Sequence, residues 1–85
     1  MKATVKVSIT VTADDGAIQA REYTGELQPK TLLDVQVFCG MVQGAIAEAM
    51  ERGWPMDHPQ IVAAIASGKQ QCEAGFKFAA PPAQG

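Results

Sequence analysis

Residues 32–52 read LLDVQVFCGMVQGAIAEAMER, and this stretch decides the fold. At 100° per residue, Leu32, Val35, Phe38, Cys39, Val42, Ala45, Ile46, Ala49 and Met50 gather into one broad apolar stripe, as in a helix laid on a core. Thr31 stands at the N-cap position with Asp34 three residues on. That pair makes a capping box, and its carboxylate also favours the positive end of the helix. Gly53 can take the left-handed conformation that ends a helix, and Pro55 cannot continue one. The helix is about 31 Å long at 1.5 Å per residue. Trp54, just past its end, is expected to fold back onto the last turn.

A second, shorter apolar patch lies roughly opposite the first: Leu33, Val37 and Met41 beside Gly40, Gly44 and Ala47. A helix that covers one side of a small sheet needs a single greasy face, so this patch calls for another surface. Gly40 and Gly44 each cost roughly 1 kcal/mol relative to alanine inside a helix. Small residues four apart let another backbone approach closely, which offsets such a cost. The approaching surface is either a later element of the same chain or, in a two-fold contact, the same patch on a copy.

Upstream, residues 2–13 alternate without a fault. Ala3, Val5, Val7, Ile9, Val11 and Ala13 point one way, and Lys2, Thr4, Lys6, Ser8, Thr10 and Thr12 point the other. Such a pattern is a half-buried strand. Asp14-Asp15-Gly16 then signals a hairpin. A two-residue turn at Asp15-Gly16 pairs Ala13 with Ile18 and Val11 with Ala20, whereas a three-residue loop over 14–16 pairs Val11 with Gln19 and Ile9 with Arg21. The first register keeps apolar residues on one face and is the expected one. It turns Glu22 and Thr24 inward, which implies an edge strand with a bulge near Arg21-Glu22 returning Leu27 to the core.

Downstream, Asp57-His58-Pro59-Gln60 starts a second, short helix with Asp57 as N-cap. Ile61, Val62 and Ile65 carry it to Ser67, and Gly68 closes it. From Lys69, Cys72, Ala74, Phe76 and Phe78 alternate with Gln71, Glu73, Gly75 and Lys77, which reads as a third strand. A helix continuing to Gly75 is the rival, because Gln, Glu and Ala favour helix. The expected fold is one α+β domain over 1–78, a ββααβ order with helices on one face of a small antiparallel or mixed sheet, followed by a fraying Pro/Ala tail at 79–85.

The bulk numbers agree with a small globular domain. Eighty-five residues, 47% hydrophobic and 19% charged, make a core of marginal size, and chains this short often gain stability from a staple or an oligomer interface. A formal charge of −2 argues against bulk attraction to nucleic acid or an anionic membrane. Asp34, Gln36 and Gln43 interrupt the long helix as a membrane span. No signal-peptide pattern precedes the first strand, so a cytoplasmic location with Cys39 and Cys72 as free buried thiols is expected rather than a disulfide.

Catalytic and cofactor chemistry find little footing. One histidine, His58, sits at a helix start, where it reads as an exposed first-turn residue. The carboxylates are scattered, Cys39 and Cys72 read as small core hydrophobes, and the glycines form no phosphate cradle. We therefore expect no enzyme, no metal and no cofactor. The leading expectation is a non-enzymatic interaction module (an inhibitor, adaptor, assembly factor or mobile-element accessory protein). It would act as a homodimer, and on a further protein partner, through Leu33, Val37, Gly40, Met41, Gly44 and Ala47. The alternative is a nucleic-acid-binding or acidic-partner face formed by Lys2, Lys6, Arg21, Tyr23, Lys69 and Lys77 on the outer side of the sheet. A small-molecule carrier, with a ligand between the long helix and the sheet, is a third and weaker reading.

Overall fold

The computed structural model describes residues 1–77, in which two strands are followed by two helices: β1 (Ala3–Thr12), β2 (Ile18–Leu27), α1 (Leu32–Arg52) and α2 (Pro59–Ala74). The class is α+β in the order ββαα, with β1 and β2 forming a two-stranded antiparallel sheet. Among the described residues the expected third strand is not formed. Residues 69–74 are helical and 75–77 carry no regular structure, while Phe78 and the expected tail at 79–85 lie outside the described residues.

α1 forms as its sequence dictates. The Thr31 hydroxyl accepts the Asp34 N–H at 3.2 Å, and the Asp34 carboxylate accepts the Thr31 N–H at 3.1 Å. Gly53 closes the helix at φ 70°, and the Trp54 N–H donates to the Ala49 carbonyl at 2.8 Å, folding the indole back as expected. Phe38, Val42, Ala45, Ile46 and Ala49 are buried, with Val35, Cys39 and Met50 half-buried beside them. Leu32, assigned to the same stripe, is instead 68% exposed, because it precedes the point where α1 meets the sheet.

The hairpin register is the one the side-chain argument rejected. Val11 pairs with Gln19 and Ile9 with Arg21, and the ladder runs unbroken to Ala3 and Leu27, with no bulge at Arg21-Glu22. The turn explains why. Asp14, Asp15 and Gly16 form a three-residue loop in which the Gly16 N–H returns to the Ala13 carbonyl at 2.9 Å and Gly16 takes φ 87°. The Asp15 carboxylate accepts the Ala17 N–H at 2.9 Å. A type I turn followed by a left-handed glycine is a standard hairpin closure, and here the loop chemistry overrides strand patterning. Arg21 and Tyr23 therefore face the helices, and Glu22 and Thr24 face solvent.

α2 departs from expectation at both ends. Its N-cap is His58, whose Nδ1 accepts the Gln60 N–H at 3.2 Å, with Pro59 as the first helical residue. The imidazole is half-buried and stacks on Trp54, ring centroids 3.9 Å apart and nearly parallel. The helix also runs through Gly68 to Ala74. Ile61, Ile65, Gly68 and Cys72 form its inner stripe, spaced four, three and four, so the residues that suggested a strand continue a helical face. Val5, Val7, Leu27, Phe38, Val42, Ile46 and Cys72 form the main core, and Ala45, Ala49 and Ile61 form a second cluster under Trp54. Each large side chain buried there contributes roughly 1.5–3 kcal/mol.

Candidate interaction surface

The apolar patch on the far side of α1 stays open. Leu33 is 50% exposed, and Gly40, Gly44 and Ala47 are exposed. A Cβ placed on Gly40 or Gly44 meets nothing within 4 Å, so among the described residues none uses the room those glycines leave. The close helix–helix approach is made instead by α2, at a position that the patterning read as a helix stop. A Cβ on Gly68 would lie 3.3 Å from Met41 Cε and 3.4 Å from Phe38 Cδ1. Met41, 38% exposed, thus leans over α2, and half-buried Val37 lies on the same flank. Of the six residues assigned to this surface, Leu33, Gly40, Gly44 and Ala47 form the open part, and Val37 and Met41 form its border with α2.

The polar surroundings are light. Arg52 Nε contacts Glu48 Oε1 at 3.0 Å across one turn, and the Arg52 guanidinium lies 5.0 Å from the Trp54 ring centroid. Beside the patch, a mostly apolar groove of about 350 Å³ runs between the end of the hairpin and α1, lined by Ile9, Val11, Ala13, Ala47 and Met50 among others. By length and mean hydropathy (1.2) α1 also meets the minimum for a membrane span, which the polar interruptions alone do not exclude. Its capped start, its buried Asp34 and its one-sided core stripe are those of a helix packed in a domain.

The basic residues do not share one sheet face, although Lys2 and Lys69 line one pocket and Tyr23 and Lys69 another. Lys6 lies on the outer sheet face and is paired with Glu22 at 3.5 Å, and Lys2 precedes β1. Arg21 and Tyr23 point the other way. The Arg21 Nη1 donates to the Trp54 carbonyl at 2.7 Å, and the Tyr23 ring meets Phe38 edge-on at 6.0 Å. Burial pushes the Tyr23 hydroxyl above its ordinary pKa. Lys69 is carried by α2 and Lys77 follows it. The one-residue difference in register moves Arg21 and Tyr23 to the inner face, and Lys69 and Lys77 leave the sheet because α2 stands where a third strand was expected.

Sequence reasoning missed one polar hub. Asp34 is 3% exposed, and its Oδ1 accepts the Phe76 N–H at 2.9 Å, so the start of α1 holds the segment after α2. The Cys72 thiol donates to the Asp34 carbonyl at 3.5 Å. The Phe76 amide, then the Thr31 hydroxyl, hold the Asp34 carboxyl below the usual carboxylate range. Burial, then the nearby Asp34 charge, pushes the Cys72 thiol up. The capping box made Asp34 visible, but a partner 42 residues away did not show in the spacing. Cys39 and Cys72 are both free, and among the described residues no three of His, Cys, Asp and Glu come together as metal ligands would. In comparisons with known proteins, the chain matches no family model, no curated protein and no solved structure.

Proposed function

We propose that this chain is a non-enzymatic protein–protein interaction module that works as a homodimer and occupies a surface on a further protein partner, in the manner of an inhibitor, adaptor or assembly factor. One observation carries the reading: Gly40 and Gly44 leave space on α1 that none of the described residues fills. Two glycines inside a helix lower its stability by roughly 1 kcal/mol each, a cost that close approach of another backbone offsets. The leucine and alanine beside them supply apolar area to be covered.

The test is a charge placed in the open space. Gly40→Glu adds a better helix former where a Cβ meets no neighbour, so the isolated chain keeps its fold. Light scattering at low and moderate salt should then give a dimer for the parent chain at both salts and a monomer for the variant. A variant as dimeric as the parent would remove α1 from the interface. A parent dimer that dissociates steeply with salt would point to a charged contact instead.

A further inference from the structure

The sheet has two edges, and among the described residues they are not equivalent. α2 packs on the β2 side and approaches β1 only near Ala3 and Thr4 at its start, so among the described residues no element runs along the outer edge of β1, and α1 sits nearer β1 than β2. The Ala13 N–H donates to the Ala17 carbonyl at 2.8 Å, which makes that pair hydrogen-bonded. With the ladder continuing as Val11 to Gln19 and Ile9 to Arg21, hydrogen-bonded pairs fall at every odd residue of β1. The N–H and C=O groups of Thr4, Lys6, Ser8, Thr10 and Thr12 therefore point away from β2. Natural edges are blunted by charged side chains, proline, bulges, shortness or covering elements, and the one charge on β1, Lys6, is paired with Glu22 of β2 at 3.5 Å. β1 has ten residues, no proline and no bulge. β2, by contrast, lies beside α2 and carries Glu22 and Glu26.

We propose that β1 pairs antiparallel with β1 of a second copy about a two-fold axis at Ser8, joining the two hairpins into a four-stranded sheet with α1 beside its own copy on one face. This rests on the homodimer reading and names the surface that makes it. The strand is self-complementary in that register. Ser8 meets Ser8, Lys6 meets Thr10 and Thr4 meets Thr12 on the outer face, so no like charges oppose one another, whereas an axis at Lys6 would set two lysines together. On the core face Val7 meets Ile9, and Val11, 49% exposed in the single chain, meets Val5 of the copy. The same pairing brings the apolar groove between the hairpin end and α1 against the base of the copy's strand.

The helices follow. The flank of α1 on the β1 side carries Gln36, Gly40, Gln43 and Ala47 by helical spacing. Antiparallel copies crossing at Gly40 set Gln36 against Gln43, two amides that can exchange hydrogen bonds, with no bulk at the crossing point. A contact nine residues long, Thr4 to Thr12 against its copy, about 30 Å, and two layers or roughly 20 Å deep covers on the order of 600 Å² per chain, somewhat below the ~800 Å² per partner of a stable interface.

Ser8→Pro in the full chain is the decisive variant. It deletes an N–H that points off the free edge, leaves the β1–β2 ladder intact, and sits where proline is tolerated in a sheet. With the parent dimeric, light scattering should give a monomer for this variant, with the parent's circular dichroism. A folded, dimeric Ser8→Pro would overturn the edge pairing while leaving a dimer through α1 alone. A parent chain monomeric at every concentration would overturn both. Thr10 supplies a pair of variants that carry no folding risk, since it is exposed on the outer face. Thr10→Glu, opposite Lys6 of the copy, should tighten the dimer about two- to fivefold and Thr10→Lys should loosen it by a similar factor. Equal dimer constants for the two would contradict the register.

Discussion

The Asp34 carboxylate holds the backbone N–H of Phe76 at 2.9 Å, and through this one bond the first turn of α1 fixes the segment that follows α2. The same side chain completes the capping box with Thr31, and the backbone carbonyl of Asp34 accepts the Cys72 thiol. Asp34 is thus a buried anion whose charge is held chiefly by hydrogen-bond donors, the Phe76 N–H first, with Lys30 adding a lesser favourable charge.

This arrangement sets the acid limb of stability. Asp34 ionises more readily in the folded chain than in the unfolded one, where its pKa is about 3.9. Its contribution is present in full above that unfolded value and is lost as pH falls through the lower, folded one. Denaturant titrations from pH 7 down to pH 2 should show stability falling below about pH 4–5. Asp34→Asn should be less stable at pH 7 and show a flatter acid limb. An unchanged acid limb in the variant would assign the effect to other carboxylates.

The alkaline limb has the opposite sign. Tyr23 and Cys72 both ionise less readily when folded, so the stability they contribute is present below their unfolded pKa values and fades as pH rises through the folded ones. Melting temperature should decline above about pH 8.5. At neutral pH a thiol reagent should modify half-buried Cys39 quickly and fully buried Cys72 only as fast as the chain opens. Equal, fast reaction at both sites would mean that α2 is not docked.

Gly44 and Gly68, one inside each helix, should respond in opposite ways. Gly44→Ala meets open space and should raise stability by about 0.5–1 kcal/mol. Gly68→Val drives methyl groups toward Met41 and Phe38 and should cost about 1–3 kcal/mol by overpacking. Chemical denaturation of both variants tests the assignment. A stabilising Gly68→Val would show that α2 does not lie where the structure puts it.

Core substitutions calibrate the scale. Ile46 and Val42 are fully buried. Ile46→Ala should cost about 2–5 kcal/mol, a large share of what a domain of this size has. Val42→Asp should prevent folding altogether, since it would bury an unpaired charge. A soluble, folded Val42→Asp protein, judged by circular dichroism, would mean that the two faces of α1 are reversed.

α1 was legible because its signals are local and agree: a capping box, a 3.6-residue stripe and a left-handed glycine all fall within one stretch. The hairpin register was not, because two local rules competed. Keeping every apolar residue inward favoured the shorter turn, yet Asp15 and Gly16 satisfy the three-residue loop so well that Arg21 and Tyr23 are drawn inside. Arg21 tolerates this only because the Trp54 carbonyl, 33 residues away, accepts its guanidinium. The end of α2 misled for a related reason. Gly68 looks like a stop in isolation, but it is the point where two helices meet over Phe38 and Met41. The openness of Gly40 and Gly44 follows from that same contact, since α2 settles on the other flank.

That openness makes association the central claim, and the mass of the unmodified chain in solution tests it most directly. Sedimentation equilibrium from micromolar to several hundred micromolar should converge on twice the 9.0 kDa of one chain as concentration rises. A mass of 9.0 kDa across the whole range would contradict the account.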